Sequence, residues 1–182
     1  NLNMENQGKK AVVALSGGLD SSVAALLLKQ QGYEVIGLTG RMVDTPAADI
    51  VVQNAKAVAE SLDIEHHVFD ASEIFKQKVI DYFENTYQSG KTPNPCIMCN
   101  KFIKWGLLLD FAVETLGAVV YATGHYANIV NENGIFKLFP AADEHKDQLY
   151  FLCCLTQKQL SKTLFPLSKF TKSEVREIAA KY

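Results

Sequence analysis

A short segment between the first apolar run and the first helical pattern has the composition of a phosphate-binding loop. Ser16–Ser22 contains two adjacent glycines, three serines and Asp20. The glycines allow a tight turn with exposed N–H groups, and the N-terminus of the following helix adds partial positive charge. No lysine follows them, unlike the loop that grips β and γ phosphates for γ-phosphate transfer. The alternative is a plain glycine-rich turn with Asp20 or Ser21 as a helix cap.

A second segment carries two cysteines, Cys96 and Cys99, in a proline-stiffened loop that runs into a helix. We expect Asn100 to be the N-cap, which puts Cys99 at the helix N-terminus near Lys101 and Lys104. Such surroundings lower the pKa of a thiol from about 8.5 and favour the reactive thiolate. One Cys-x-x-Cys pair supplies only two of the four ligands of a structural zinc site. An iron–sulfur cluster completed by other ligands, or two half-buried structural thiols, stay open as alternatives.

The other two of the four cysteines, Cys153 and Cys154, lie inside the apolar run Tyr150–Leu155. Cysteine packs well as a small apolar side chain, so we expect both to be buried. Two local pairs do not resemble the disulfide framework of a secreted domain.

Composition indicates one soluble globular domain of 182 residues, with 48% hydrophobic and 21% charged residues. No apolar run approaches the ~20 residues that cross a bilayer, so no membrane partner is expected. The polar stretch Asn1–Lys10 lacks a secretory h-region, which makes the cytoplasm the expected compartment. The net charge of −2 gives no overall attraction to nucleic acid, so RNA binding would need a local basic surface or another domain.

The elements that must position these segments alternate between short apolar runs and helical periodicity, which predicts an α/β fold with a parallel sheet covered by helices. The carboxyl ends of such strands hold ligands, which makes Leu38 and Gly40, at the end of the second strand, candidate ATP neighbours. The predicted strands are Lys10–Leu15, Glu34–Leu38, Glu65–Phe69 and Ala118–Thr123, and the predicted helices are Ser21–Gln31, Ala48–Leu62, Glu73–Gln88 and Lys101–Leu116.

Beyond the fourth strand the pattern changes to a small appendage. Tyr126–Val130 and Ile135–Phe139 flank a predicted four-residue hairpin loop, residues 131–134. Thr156 and Thr171 each have capping-box spacing and are expected to open short helices. We therefore divide the chain into a first domain, residues 1–139, and the start of a helical region, residues 140–182.

Four segments together resemble, in order and approximate spacing, the tRNA-specific 2-thiouridylases: Ser16–Ser22, Thr92–Asn100, Ala122–Tyr126 and Lys146–Gln148. The first also resembles the pyrophosphate loop of the N-type ATP pyrophosphatases, which cleave ATP to AMP and pyrophosphate. The resemblance implies their Rossmann-like fold, related to the adenine nucleotide alpha hydrolases.

The resemblance further implies ATP-dependent sulfur transfer to carbon 2 of the wobble uridine of tRNA, through an adenylated uridine and a cysteine persulfide. A persulfide sulfur-donor protein and tRNA are then the expected partners, with ATP and Mg²⁺ as cofactors. By the same resemblance Cys99 is catalytic and Asp20 holds magnesium. Asn94, Pro95 and Cys96 line the target base, and Lys146, Asp147 and Gln148 contact tRNA. Residues 1–139 are then expected to be an ATP-pyrophosphatase catalytic domain, and residues 140–182 the start of a helical region that contacts tRNA. The ATP-binding residues that the resemblance implies are Ala14, Leu15, Ser16, Gly17, Gly18, Leu19, Asp20, Ser21 and Gly124, and the strand-end position adds Leu38 and Gly40.

Three departures from the family pattern stand out. Cys96 occupies a position where the family usually has aspartate, so an iron–sulfur cluster at Cys96 and Cys99 stays open. A methionine that flanks the adenine falls near Met42 here, within a shorter loop. The family's second catalytic cysteine would lie beyond Tyr182, so we expect the segment alone to be incomplete for turnover.

Other functions fit parts of the pattern. His125 could be catalytic, although its position after a strand end better fits a structural or nucleotide-edge role. One alternative for the whole chain is another adenylating enzyme of this fold, acting on a different nucleoside or small molecule. A second is a non-catalytic nucleotide-binding or redox-sensing module.

Overall fold

A parallel five-stranded sheet forms the centre of the protein, in a computed structural model that describes residues 4–182. The predicted α/β fold is confirmed. In the sheet the strands follow the order β3-β2-β1-β4-β7, so β1 lies between the second and fourth strands. The strands are β1 (Lys10–Ala14), β2 (Glu34–Arg41), β3 (Glu65–Asp70), β4 (Val120–Ala122), β5 (Asn128–Glu132), β6 (Ile135–Phe139) and β7 (Thr163–Leu164).

Helices cover both faces of the sheet. They are α1 (Leu19–Gln30), α2 (Pro46–Ser61), α3 (Ser72–Phe75), α4 (Asp81–Gln88), α5 (Pro95–Cys99), α6 (Gln157–Leu160) and α7 (Lys172–Ala180). A π-helical stretch, Lys76–Ile80, joins α3 to α4. Another, Asn100–Leu108, continues α5 and leads to Phe111–Thr115, so that residues 95–115 form one long helix. Gly32 and Gly117 follow helix ends with positive φ of 91° and 73°, the left-handed backbone that favours glycine there.

The alternation of side chains along β1 divides the core into two clusters. Ala11 and Val13 pack into one cluster with residues of α1, α2 and α7, while Val12 packs into the other with residues of the long helix. Trp105 on the long helix is 1% exposed and is among the largest fully buried side chains. Helices on both faces thus explain why the strands of this sheet are predominantly apolar.

The hairpin differs from the sequence prediction in its loop. The paired strands β5 and β6 leave only Asn133 and Gly134 unpaired, and both have positive φ, 54° and 87°. This two-residue turn matches the right-handed twist of the strands, so the prediction of a four-residue loop was wrong.

The last forty residues share the main core. β7 pairs in parallel with β4, and Leu167 and Val175 are fully buried in the cluster that contains α1. Both predicted capping boxes, at Thr156 and Thr171, are confirmed. The division at residue 139 stays a prediction. Within residues 4–182, no helix is both long and apolar enough to span a membrane.

Candidate functional site

A cleft of about 370 Å³ opens at the carboxyl edge of the sheet, where β1, β2 and β4 end. It collects most of the residues predicted to bind ATP. Those in its wall are Ala14, Leu15, Ser16, Asp20, Ser21, Leu38, Gly40 and Gly124. Gly17, Gly18 and Leu19 are outside the lining. The lining also includes residues that the sequence prediction did not assign to ATP: Thr39, Met42, Val51, Lys104, Leu108, Thr123, His125 and Gln148.

Hydroxyl groups hold the phosphate-type loop in a defined shape. The Ser21 hydroxyl donates to the Gly18 carbonyl at 3.1 Å and accepts from the Ser16 N–H at 3.2 Å. The Ser22 hydroxyl donates to the same carbonyl at 2.8 Å. Helix α1 begins after its N-cap Gly18, so Asp20 and Ser21 lie inside the helix and neither is the cap that the alternative interpretation named. Phosphate binding by this loop stays a prediction.

Two glycines allow the backbone segments around the loop to come close together. A Cβ atom on Gly17, which has φ of 74°, would lie 2.6 Å from the Asn54 Cβ and 2.7 Å from the Ala55 nitrogen. A Cβ atom on Gly124 would lie 2.8 Å from the Asp20 carbonyl carbon and the Ser21 nitrogen. Gly17 is therefore required for the contact with α2, and Gly124 for the contact between the end of β4 and the start of α1.

Asp20 is held by two side chains that are distant in sequence. Its Oδ1 accepts hydrogen bonds from the Tyr126 hydroxyl at 2.9 Å and from Lys172 Nζ at 2.5 Å. Burial and the contact with Asp20 both raise the pKa of Tyr126, so its hydroxyl keeps its proton as the donor. Lys172 had no local signal in the sequence, because it reaches the loop only through the packing of α7 on α1.

His125 lines the cleft with an uncharged imidazole ring. Its Nδ1 lies 2.8 Å from the Thr123 hydroxyl, and its ring lies 5.3 Å from the centre of the Trp105 ring. Burial and, to a smaller extent, the positive charge of Lys104 together lower the pKa of His125 to about 3. A neutral, packed imidazole supports the structural or nucleotide-edge role over an acid–base role at neutral pH.

The helix that carries the cysteines begins earlier than predicted. Asn94 is the N-cap and accepts from the Ile97 N–H at 3.2 Å. Asn100 lies inside the long helix, buried, and donates to the Phe151 carbonyl at 2.9 Å. The prediction that Asn100 caps the helix was therefore wrong, and Cys99 lies inside the helix, five residues after its N-cap Asn94.

The environment of Cys99 also differs from the prediction. Cys99 is half-buried whereas Cys96 is exposed. Burial raises the pKa of the Cys99 thiol, and the positive charge of Lys104 offsets part of that increase. The exposed Lys101 instead places its ammonium 5.1 Å from the centre of the Phe102 ring. The expectation of a lowered pKa was wrong, because it omitted the desolvation of the thiol.

The second cysteine pair is not buried as the sequence suggested. Cys153 is exposed and Cys154 is half-buried, with their sulfur atoms 3.9 Å apart. The run begins in a short 3-10 helix, Leu149–Leu152, which places Leu152 in the core, and the two cysteines that follow the helix lie outside the core. Across the described part of the chain, no three or more His, Cys, Asp or Glu side chains are grouped so that they could hold a metal ion.

The residues predicted to contact tRNA or its target base differ in exposure and in their contacts within the chain. Lys146 is exposed. The Asp147 carboxylate accepts from the N–H groups of Ala141 and Leu149 at 3.0 and 3.1 Å and so shapes its own loop. Gln148 accepts from the Tyr126 N–H at 3.1 Å and lines the cleft. Asn94 and Pro95 are half-buried at the start of α5, beside Cys96.

Comparison with known proteins agrees with this arrangement. The chain is 50% identical over 185 residues to the tRNA-specific 2-thiouridylase MnmA of Lachnoclostridium phytofermentans, covering 95% of this chain and 52% of that protein. It is 48% identical over 181 residues to the tRNA-specific 2-thiouridylase MnmA of Clostridium acetobutylicum, covering 94% and 51%. The chain thus spans about half the length of the curated relatives it matches.

Solved structures at lower identity share the fold. The U34-tRNA thiolase NcsA from Methanococcus maripaludis with its 4Fe-4S cluster matches with a TM-score of 0.60 at 21% identity, over 98% of this chain and 58% of that chain. A 4-thiouridine synthetase in complex with RNA and bound ATP matches with a TM-score of 0.62 at 22% identity, over 96% and 40%. The family model described as the tRNA methyl transferase HUP domain matches residues 9–182, and the chain belongs to that family.

Proposed function

We propose that this chain is the ATP-using domain of a tRNA-uridine 2-sulfurtransferase. The observation that carries the proposal is the cleft itself. It brings the Ser16–Ser22 loop and Gly124 together at the carboxyl edge of a parallel sheet, the place where open α/β folds bind nucleotides. The identity of about 50% with proteins named tRNA-specific 2-thiouridylases supports uridine thiolation as the reaction.

The chemistry of the cleft wall suggests how ATP would lie. Leu38, Gly40, Met42 and Leu108 supply an apolar end that suits the adenine ring. A Cβ atom on Gly40 would lie 2.9 Å from the Met42 methyl group, so glycine keeps this end open. The loop and the N-terminus of α1 supply N–H groups and positive charge for the phosphates at the other end.

The reaction needs ATP because the oxygen on carbon 2 of uracil is a poor leaving group. Attack of that oxygen on the α-phosphorus releases pyrophosphate and makes the oxygen part of AMP. The outer sulfur of a cysteine persulfide, formed by a sulfur-donor protein, then attacks carbon 2, and AMP leaves with the oxygen. A second thiol, which we assign to Cys99, attacks the inner sulfur; a disulfide forms and the product keeps the outer sulfur. A wobble base in a single-stranded loop can enter such a pocket.

Magnesium and an iron–sulfur cluster fit the described residues unequally. A Mg²⁺ ion bound by the Asp20 carboxylate would replace the Lys172 ammonium at Oδ1. Cys96 and Cys99 supply two thiols for a cluster, and the described residues add no third ligand to them. No step of the proposed reaction is routed through a cluster.

The test compares Asp20→Asn with Asp110→Asn, which removes an exposed carboxylate from the long helix. Calorimetry with Mg²⁺ and ATP should show binding to the wild-type chain, a loss of about tenfold or more in Asp20→Asn, and no change in Asp110→Asn. In the parent protein, pyrophosphate release in the presence of unmodified tRNA should follow the same order. Release that Asp20→Asn leaves undiminished contradicts the proposal.

Two other outcomes distinguish the alternatives. Pyrophosphate release that responds to a small-molecule or other nucleoside acceptor, and not to tRNA, indicates a different adenylating enzyme. Tight ATP binding with no turnover for any acceptor, together with reversible oxidation of Cys153 and Cys154, indicates a sensing module.

A further inference from the structure

Lys104, in the cleft wall, has no hydrogen bond or ion pair to its ammonium among residues 4–182. Lys104 is half-buried and lines the cleft together with Ser16 and Ser21. Among the described residues, no carboxylate, carbonyl or hydroxyl group is bonded to its ammonium. Burial lowers the pKa of Lys104, as expected for an ammonium removed from water without a counter-charge. A buried cation without a partner is costly, so this site favours an anionic ligand.

The other lysine near the loop is already used. Lys172 is paired with Asp20, in a contact that also includes the Tyr126 hydroxyl. Lys172 is not part of the cleft lining, so Lys104 is the cation of the described cleft wall whether or not Mg²⁺ displaces Lys172 from Asp20. Its titratable neighbours are the thiols of Cys96 and Cys99 on its own helix and the imidazole of His125 after β4. None of these carries a fixed negative charge that could neutralise it.

The π-helical stretch explains how Lys104 comes close to both Cys99 and the cleft. Lys104 follows Cys99 by five residues, and the Leu109 N–H donates to the Lys104 carbonyl five residues back. Five residues would place two side chains on different faces of an α-helix, whereas π-helical winding brings them near one face. The long helix belongs to the core cluster on the sheet face opposite α1, so Lys104 and the loop approach the cleft from opposite sides.

We propose that Lys104 binds the α-phosphate of the nucleotide and thereby links nucleotide binding to the reactivity of Cys99. The inference rests on the proposed nucleotide-binding function. The loop side of the cleft serves the pyrophosphate end, and the helix side carries the cysteines. The α-phosphate is the group that would join ATP to the acceptor, so a cation beside Cys99 is placed to contact it.

The proposal makes Cys99 sensitive to the bound phosphate. In the free protein Lys104 is the positive charge that stabilises the Cys99 thiolate. A phosphate bound to the ammonium neutralises part of that charge. We therefore expect Cys99 to react more slowly with iodoacetamide when AMP is bound than when adenosine is bound.

The test uses three variants of the full chain with ATP, AMP and adenosine as ligands. Lys104→Met removes the charge at similar length, Lys104→Arg keeps it, and Lys101→Met removes an exposed charge from the same helix. Calorimetry should show that Lys104→Met weakens ATP and AMP binding by about tenfold or more, within the range for a charged hydrogen bond, and leaves adenosine binding unchanged. Lys104→Arg should keep most of the affinity, and Lys101→Met all of it. The difference between AMP and adenosine in the alkylation rate of Cys99 should disappear in Lys104→Met.

The outcomes separate this inference from the proposed function. Wild-type affinity for AMP in Lys104→Met overturns the inference and leaves the nucleotide site standing. An equal loss for adenosine also overturns it, since the side chain would then only shape the cleft. If the wild-type chain binds neither ATP nor AMP, the proposed function fails and the inference falls with it.

Discussion

At the scale of single residues, the cleft joins groups whose charges depend on one another. The positive charge of Lys104 acts on both Cys99 and His125, where it favours the thiolate of the first and the neutral imidazole of the second. Desolvation acts on all three side chains and favours their uncharged forms. The free protein thus keeps its thiol and its histidine mostly uncharged at neutral pH, and only the lysine has the charge that an anionic ligand would need.

The alkylation of Cys99 should therefore be slow at neutral pH. Because burial raises its pKa, we expect the rate to rise with pH to a midpoint above that of an ordinary cysteine thiol, and to be lower at pH 7 than the rate of the exposed Cys96. Lys104→Met should move the midpoint still higher. Mass spectrometry of peptides after timed iodoacetamide treatment measures each site. A Cys99 that reacts first, with a midpoint below 8.5, would show that its helix position outweighs burial.

His125 gives the stability of the protein a specific pH dependence. Its folded pKa of about 3 lies below the ordinary value of 6.5, so the unfolded chain binds a proton that the folded chain does not. The free energy of unfolding therefore decreases as the pH falls below about 6.5, and His125 accounts for a decrease of about 2 kcal/mol at pH 5. Urea unfolding at pH 7 and pH 5 should show a smaller loss in His125→Gln, which can still bond to Thr123, than in the wild type. The exposed His145→Gln should behave as the wild type does, and a full loss in His125→Gln would contradict this assignment.

At the scale of elements, periodicity and local turn chemistry predicted most of the architecture. The strand–loop–helix order around Asp20 and both capping boxes could be read locally, because each depends on neighbours within a few residues. The strand β7 could not be predicted from the sequence, because a strand of two residues, Thr163 and Leu164, is too short to show an alternation of apolar and polar side chains. The partner of Asp20, Lys172, lies 152 residues away, and only packing brings it near. The N-cap of the cysteine helix was misplaced because Asn94 and Asn100 are both good caps, and the choice depends on the burial of Asn100.

The two glycines of the loop should differ sharply in their tolerance of a side chain. Gly17→Ala forces a positive φ on alanine and places Cβ against α2, so we expect a loss of about 2 kcal/mol or more in the free energy of unfolding. Gly18 has an ordinary φ of −85°, and its Cβ would lie 3.4 Å from the Ser16 hydroxyl. Gly18→Ala should therefore change the free energy of unfolding by no more than about 1 kcal/mol. Denaturant unfolding of both variants measures the difference. Equal losses in the free energy of unfolding would mean that the loop changes conformation to accept the Gly17→Ala side chain without moving α2.

At the scale of the whole molecule, the two core clusters are joined through the sheet and through the last forty residues. β7 connects them directly, because the Trp105 indole N–H donates to the Thr163 hydroxyl at 2.9 Å while Leu164 packs against the cluster that contains α1. Lys172 adds a contact from α7 to the phosphate-type loop. The cleft therefore has contacts with residues 140–182 as well as with the strands that line it, and we expect the chain to unfold as one unit.

This cooperativity can be tested with a core variant and a distant probe. Leu167 is fully buried in the cluster with α1, and Leu167→Ala should cost about 2–5 kcal/mol. Trp105, the one tryptophan, lies in the other cluster, so its fluorescence reports on a region that Leu167 does not touch. In urea, the fluorescence and far-UV circular dichroism midpoints should shift together, and Tyr150→Ala, at a side chain 68% exposed, should shift neither. A circular dichroism shift without a fluorescence shift would instead mean that residues 140–182 fold separately, as the division at residue 139 predicts.

Coincident shifts, accompanied by weaker ATP binding at urea concentrations where Leu167→Ala begins to unfold, would show that the cleft is stable only as part of the whole chain.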